Sequence, residues 1–386
     1  MIRKMEASDI EQIINLENEV LSTTLGDSIL KLGLVSEMAY YYVYLLDNKV
    51  IGYISSSFDG NTIEILNFCV YKEYQNTGIG TKLLNHLIVE LMKKGANNSV
   101  LEVRESNINA IKFYEKFGYK SINIRKNYYA DGENAILMQK IIIPYSDLSL
   151  SYISNFTKIE NHKDYISYRN DNYKIKYDYN KYEILDDNNL DKIMKKINKD
   201  NDRTFLELEI KNRHYEYFND MVEAYCGILF NSISNIRIEK KYNDIRELDE
   251  NNYHDYIEYC YIDNLSYGEE YANMDGKFRA DFMLKNKDKL KSFLIYDNDK
   301  IIGVIDTYLF LDNAYIENFS ILEEKRNNGY GSSLFMGMIE HLKEMGIHNI
   351  FLEVDNYDTP KEMYKKWGFS IIDNYYAYHK SLYGQN

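Results

Sequence analysis

Proline and cysteine are scarce in this chain of 386 residues, basic side chains are outnumbered, and long apolar runs are missing. The three cysteines, Cys69, Cys226 and Cys260, are too scattered for a disulfide framework or a zinc site, and no other spacing predicts a metal site. Nothing approaches the roughly 18 consecutive apolar residues of a membrane-crossing helix. The opening MIRKMEASDIEQI carries no apolar signal core, which predicts a soluble, cytoplasmic protein. Asp and Glu number 60 against 46 Lys and Arg, a net charge of −14. Such a surface disfavours nucleic acid and anionic membrane, and either favours cationic partners such as amines and basic peptides or simply aids solubility.

What is present is a repeat. FCVYKEYQNTGIGTKLLNHL at 68–87 returns as FSILEEKRNNGYGSSLFMGM at 319–338, each an apolar strand, a polar turn and a Gly-x-Gly opening an amphipathic helix. The offset of 251 residues also maps Gly52 to Gly303, Asn67 to Asn318, Gly95 to Gly346 and Glu102 to Glu353. A single Gly-x-Gly is weak evidence, but a strand–turn–helix unit repeated in register points to two copies of one ligand-binding fold.

Residues 1–145 read as one α/β domain. Ile2–Met5 is a short strand, and Ser8-Asp9 caps a helix carrying Ile10, Ile13, Ile14 and Leu16. Two strands joined at Asp47-Asn48 follow, then IEILNFCV, the Gly-x-Gly helix ended by Gly95, the strand SVLEV, the helix INAIKFYEKFG and a closing antiparallel pair. Pro144 marks a boundary, and the same order restarts at Ile245 in a second domain, 243–386. Between them, 146–242 holds strand-like FLELEI (205–210), helix-like HYEYFNDMVEAYC (214–226) and strand-like SNIRI, without a glycine-rich turn. This segment is expected to form a degenerate α/β subdomain packed on the second copy.

In Gln75-Asn76-Thr77-Gly78-Ile79-Gly80-Thr81 the glycines allow a tight turn and leave no Cβ in a ligand's way. The free N–H groups of the first helical turn converge where the helix dipole favours an anion, a cradle for a pyrophosphate. The turn lacks the Gly-Lys-Ser/Thr end of a nucleoside-triphosphate loop and the three-glycine dinucleotide fingerprint.

Gln-x-x-Gly-x-Gly after a strand, then LEV, then the run LEVRESNINAIKFYEKFGYKSINIRKNYYADGENAILM over 101–138, resembles the GNAT superfamily of acetyl-CoA-dependent N-acetyltransferases. The first copy is most similar to the ribosomal-protein-alanine type, over nearly all of residues 1–142, although VLSTTLGDSILK stands where many relatives carry Phe-Pro-Trp. The resemblance implies two acyl-CoA N-acyltransferase folds of α/β (α+β) class. Each is a mixed, mostly antiparallel twisted sheet flanked by helices.

The resemblance also implies site residues. Phe68, Cys69 and Val70 hold the pantetheine and polarise the acetyl carbonyl, Gln75 to Thr81 hold the CoA pyrophosphate, and Asn107 touches CoA and caps a helix. Glu102 is the general base, with a pKa expected to rise through partial burial, and Tyr114 is the acid for the leaving thiolate. Cys69 reads as an apolar strand residue and not as a nucleophile, since direct transfer needs no covalent intermediate.

The second copy retains Phe319, Ser320 and Ile321, then Arg326-Asn327-Asn328-Gly329-Tyr330-Gly331-Ser332, Glu353 and Tyr364, so it too is expected to hold CoA. It is one residue shorter between glutamate and tyrosine, has Asp358 near the expected asparagine, and closes with IIDNYYAYHKSLY, read as a hairpin. It is either a second acetyltransferase or a structural partner. His86 and His341 read as solvated helix residues.

The expected acceptor is a primary amine, foremost a protein N-terminal α-amine. An α-amine has a pKa of about 7.7–8 and lysine about 10.4, so deprotonating lysine at neutral pH costs roughly 3.5 kcal/mol more. Two alternatives stay open: a small-molecule amine (polyamine, aminoglycoside or amino acid) as acceptor, or a CoA-binding regulatory protein without transfer.

Overall fold

A computed structural model describes residues 1–21, 24–171, 177–200, 205–265, 269–357 and 360–382. The chain divides into two compact units. Unit 1 is Met1–Pro144 with Asn231–Ile236 and Ile347–Asn349; unit 2 is Tyr145–Phe230, Arg237–Gly346 and Ile350–Asn386.

Unit 1 runs β1 (Ile2–Lys4), α1 (Ile10–Val20), α2 (Gly26–Val35), β2 (Ala39–Leu46), β3 (Lys49–Phe58), β4 (Thr62–Val70), α3 (Ile79–Met92), β5 (Asn98–Arg104), α4 (Ile108–Glu115), β6 (Lys120–Arg125) and β7 (Ala135–Ile141). Its seven-stranded sheet has the order β1-β2-β3-β4-β5-β7-β6. Only β4 and β5 pair parallel; the other pairs are antiparallel. Asp47 and Asn48 both take positive φ (47° and 63°), the two-residue turn that matches strand twist.

The α1 residues Ile10, Ile13 and Leu16 share one helical face and pack with Leu30 of α2 on Val43, Tyr53 and Cys69. Fully burying a side chain such as Ile13 or Leu16 contributes roughly 1.5–3 kcal/mol. Leu83, Leu84, Leu87 and Leu91 line the buried face of α3.

Two expectations for this unit need correction. The Asp9 carboxylate does not reach forward to cap α1. It accepts the Glu6 N–H (2.8 Å) and pairs with Arg3 (2.6 Å), closing the short turn ahead of the helix. His86 is half-buried and stands edge-on to Tyr42, with ring centroids 4.7 Å apart, and burial lowers its pKa.

Unit 2 runs α5 (Tyr145–Ile153), β8 (Lys158–Asn161), β9 (Tyr165–Arg169), β10 (Tyr182–Ile184), α6 (Leu190–Asp200), β11 (Phe205–Ile210), β12 (Val222–Ser232), β13 (Ile245–Glu247), α7 (Tyr253–Asn264), α8 (Glu269–Lys285), β14 (Leu290–Asp297), β15 (Lys300–Phe310), β16 (Asn313–Ile321), α9 (Tyr330–Glu344), β17 (Asn349–Asp355), α10 (Pro360–Lys366) and β18 (Ser370–Ser381). One eleven-stranded sheet has the order β13-β14-β15-β16-β17-β12-β18-β11-β10-β9-β8. The strands of 146–242 therefore extend the sheet of the second copy, and Ile193 and Ile197 of α6 pack on Leu208 and Ile210 of β11.

Three element assignments beyond residue 145 differ from expectation. Residues 214–221 are turns, and 222–226 open the long strand β12 in place of the expected helix. The helical period of HYEYFNDMVEAYC yields to pairing with β18, in which Val222 faces His379 and Cys226 faces Tyr375. The stretch SNIRI is a short 3-10 turn and irregular chain, not a strand. The closing hairpin is one continuous strand, β18, because β12 takes the place between β17 and β18 that β7 takes between β5 and β6.

Candidate active site

The two Gly-x-Gly turns have nearly the same backbone. Asn76 and Asn327 both have φ 62°, and Gly78 and Gly329 precede their helices in the left-handed conformation at φ 88° and 91°. Glycine is required there because an L side chain at that φ is strained. The motif's first residue braces the turn in each copy: Gln75 Nε2 donates to the Val70 carbonyl (3.0 Å), and Arg326 Nε to the Ile321 carbonyl (2.9 Å). The first helical bond runs from the Lys82 N–H to the Gly78 carbonyl (3.0 Å), so the amides of Ile79, Gly80 and Thr81 lie ahead of the ladder. A Cβ on Gly78 would meet nothing within 4 Å, so the cradle is open to a phosphate. A Cβ on Gly80 would lie 3.4 Å from the Phe68 ring, which sets the helix start directly on β4.

The strand below the cradle is splayed. The β4–β5 ladder spans Thr62–Ile65 against Asn98–Leu101 and ends there, although β4 continues to Val70 and β5 to Arg104. The backbone of Phe68–Val70 is thus released from β5. A bulge precedes it: Ser55 pairs with Asn67 and Ser56 with Ile65, so Leu66 is extra. Unit 2 repeats the bulge, with Asp306 opposite Asn318, Thr307 opposite Ile316 and Glu317 extra.

Glu102 lies on β5 beyond the end of that ladder, its side chain 17% exposed, with Arg125 Nη1 2.7 Å from Oε1. Its carboxylate is partly buried, as expected from sequence, and has a counter-charge that the sequence did not reveal. Tyr114 is buried on α4, its ring centroid 6.4 Å from that of Phe68, and burial pushes its phenol pKa far up. Tyr129 lies within electrostatic range of both Glu102 and Tyr114. Asn107 caps α4, its Oδ1 accepting the Ala110 N–H (3.1 Å). The Asp-Gly-Glu-Asn loop is pinned beside the site, with Arg104 contacting Asp131 (2.8 Å) and Glu133 (2.6 Å) and stacking on Tyr129. Cys69 is buried, and its thiol is pushed up by that burial and by Glu17, so it carries no thiolate character.

Unit 2 surrounds its corresponding residues differently. Glu353 accepts a hydrogen bond from the Tyr145 hydroxyl (2.6 Å). A Lys181–Glu209 ion pair (2.6 Å) lies within electrostatic range of Glu353, and burial pushes the Glu209 carboxyl up to about 7. Tyr364 is buried against Trp367 and Phe335, with its pKa raised by that burial. The second cradle is covered. A Cβ on Gly329 would lie 3.1 Å from Lys241 Cδ, and Tyr242 stacks on Tyr330 at 4.0 Å between ring centroids. The N–H groups of Lys241 and Tyr242 both donate to Ser333 Oγ (2.9 and 3.1 Å). His341 is half-buried, 3.3 Å from Glu247. Asp358 and the Ser22–Thr23 part of VLSTTLGDSILK lie outside the described residues.

Several residues at these sites escaped the sequence reading. Arg125, Tyr145 and Lys241 have no motif of their own. Glu17 had a signal: it sits four residues after Ile13 and seven after Ile10, a carboxylate on the apolar face of α1.

The family model for the acetyltransferase (GNAT) family matches residues 9–119 and 245–369, together more than half of the chain. An uncharacterized N-acetyltransferase of Methanocaldococcus jannaschii is 38% identical over 142 residues, 36% of this chain and 90% of that protein. The ribosomal protein bS18-alanine N-acetyltransferase of Haemophilus influenzae is 32% identical over 151 residues, 36% of this chain and 96% of that protein. A crystal structure of a functionally unknown conserved protein from Staphylococcus epidermidis covers 62% of this chain and 98% of its own, with TM-score 0.53 and 21% identity, a likeness of fold.

Proposed function

From the premise that the chain belongs to the GNAT family of N-acetyltransferases, we propose that unit 1 transfers acetyl from acetyl-CoA to the α-amine of a protein N-terminus. The observation that carries this is the splay: Phe68–Val70, freed from β5, stand beside an open cradle, with the Tyr114 ring near Phe68 and Glu102 on β5 just past the end of the ladder. The relative named as a ribosomal protein bS18-alanine N-acetyltransferase supports a peptide amine as acceptor. The Asp-Gly-Glu-Asn loop held by Arg104 adds an ordered wall beside Glu102.

Acetyl-CoA supplies the activated acetyl thioester. The amides of Ile79, Gly80 and Thr81 hold its pyrophosphate, and the side of the Phe68–Val70 backbone released from β5 orients the pantetheine and acetyl carbonyl. Glu102 takes the proton of the attacking amine, directly or through a water, and Arg125 stabilises the carboxylate beforehand. Tyr114 keeps its proton at neutral pH because it is buried, and delivers it to the departing thiolate. Transfer is placed in unit 1 because in unit 2 Lys241 and Tyr242 lie over the cradle and the Tyr145 hydroxyl occupies Glu353.

The test is a panel of peptides and small amines with acetyl-CoA, following free thiol release by the whole chain. Glu102→Gln is expected to lower turnover about 100-fold or more while CoA affinity holds. Equal turnover of that variant at every pH removes Glu102 as base. Transfer to polyamines or aminoglycosides in preference to peptides overturns the acceptor.

A further inference from the structure

Glu17 is completely buried on α1, and it is fully engaged. Oε1 accepts hydrogen bonds from the Tyr53 hydroxyl on β3 and from Asn67 Nδ2 on β4 (2.6 Å). Oε2 accepts the N–H of Leu25, the residue that opens α2 (3.1 Å). One carboxylate thus joins α1, the start of α2, β3 and β4.

Asn67 is held from its backbone as well. Its N–H donates to Ser55 Oγ (3.0 Å), and that hydroxyl donates to the Asn67 carbonyl (3.1 Å). Asn67 directly follows the bulged Leu66 and directly precedes Phe68, the first residue of the released backbone. A buried carboxylate is costly to desolvate, whereas an apolar residue at position 17 would continue the stripe of Ile10, Ile13 and Leu16 without that cost. What the carboxylate adds is a fixed polar geometry at the bulge.

Unit 2 anchors the same bulge with different chemistry. By the repeat offset Tyr53 becomes Val304 and Ser55 becomes Asp306. There Arg279 of α8 reaches Asp306 and, at 3.5 Å, Glu317, the bulged residue itself. Each copy therefore ties its bulge to the helices between its first two strands through a buried charge, and the two do so with unrelated residues.

We propose that Glu17 is a positioning residue for the transfer step in unit 1: by clamping Asn67 to α1 and α2 it sets the backbone of Phe68–Val70 on which the acetyl group is oriented. The role rests on the transferase reading of unit 1. It also couples the α1–α2 wall to that strand, so a displacement of either helix is felt at Phe68.

The test compares Glu17→Gln, and Glu17→Leu combined with Tyr53→Phe, with the intact chain at temperatures well below each melting midpoint. Both are expected to bind acetyl-CoA within about twofold of wild type, because the cradle amides are elsewhere, and to lose roughly tenfold or more in kcat. Amide hydrogen exchange is expected to accelerate at 66–70 and to stay unchanged at 79–81. A purely structural role lowers the melting temperature and leaves kcat of the folded protein and exchange at 66–70 as they were; that result overturns the proposal. If wild type transfers acetyl to no acceptor, the transferase reading falls, while exchange at 66–70 still decides whether Glu17 clamps the strand.

Discussion

Gly78 and Gly329 share a conformation and differ in what stands above them, which makes them a matched pair. Alanine at either must hold φ near +90°, at a cost of about 1–2 kcal/mol. For a unit of this size that lowers the melting midpoint by roughly 2–8 °C, well short of unfolding. Strain is therefore common to Gly78→Ala and Gly329→Ala. Ligand effects are not. At Gly78 the methyl enters space that is empty within 4 Å, where the pyrophosphate is expected. Losing one charge-assisted amide contact of about 1.5–3 kcal/mol weakens CoA roughly 10- to 150-fold. At Gly329 the methyl meets Lys241, which already lies over the turn, so CoA binding by the whole chain is expected to be unchanged. Isothermal titration of wild type should give one CoA per chain, lost or weakened only in Gly78→Ala. A Gly78→Ala protein that stays folded and binds CoA within twofold of wild type refutes the cradle assignment. Two equal sites in wild type refute the placement of chemistry in unit 1 alone.

Tyr242→Ala removes the ring stacked on Tyr330 and is expected to expose a second, weaker CoA site, read as a rise in titration stoichiometry toward two. Tyr145→Phe deletes the hydrogen bond to Glu353 and should lower the stability of unit 2 by about 1.5–3 kcal/mol, measured by urea unfolding. The Glu133 carboxyl is held down to about 2 by hydrogen bonds from Ser106, then by Arg104. A depressed carboxyl stabilises above its unfolded value near 4.5 and loses that contribution as pH falls toward 2. Protection of the Ser106 amide, taken relative to the intrinsic exchange rate at each pH, should therefore fall across that acid window in wild type, and Glu133→Gln should remove that change; wild-type protection that stays constant counts against the contact.

Unit 1 was legible because each of its elements carries its own signal. The Asp47-Asn48 turn, the Gly95 stop and the apolar face of α1 all specify local structure without reference to distant residues. Phe68, Gly78, Glu102 and Tyr114 were legible as a motif. Their partners were not, because Arg125 and Asn67 meet Glu102 and Glu17 only once the sheet is assembled. The failures in unit 2 have the same origin. HYEYFNDMVEAYC has a helical period and is partly strand because β18, far along the chain, claims it. IIDNYYAYHKSLY looked like a hairpin because nothing local reveals that β12 already fills the neighbouring place.

That placement of β12 fixes an order of events during synthesis. The sheet of unit 1 is complete once β7 has been made. In unit 2, β12 emerges before either strand that flanks it, and Val222 must wait for His379. Pairing across such a separation is slow, and an unpaired strand exposes an edge that other chains can join. A chain stalled before residue 370 would thus carry a finished first unit and a second that cannot close. A fragment beginning at 243 would keep β17 and β18 but not the strand between them. For unit 2, therefore, the final dozen strand residues govern solubility as much as shape.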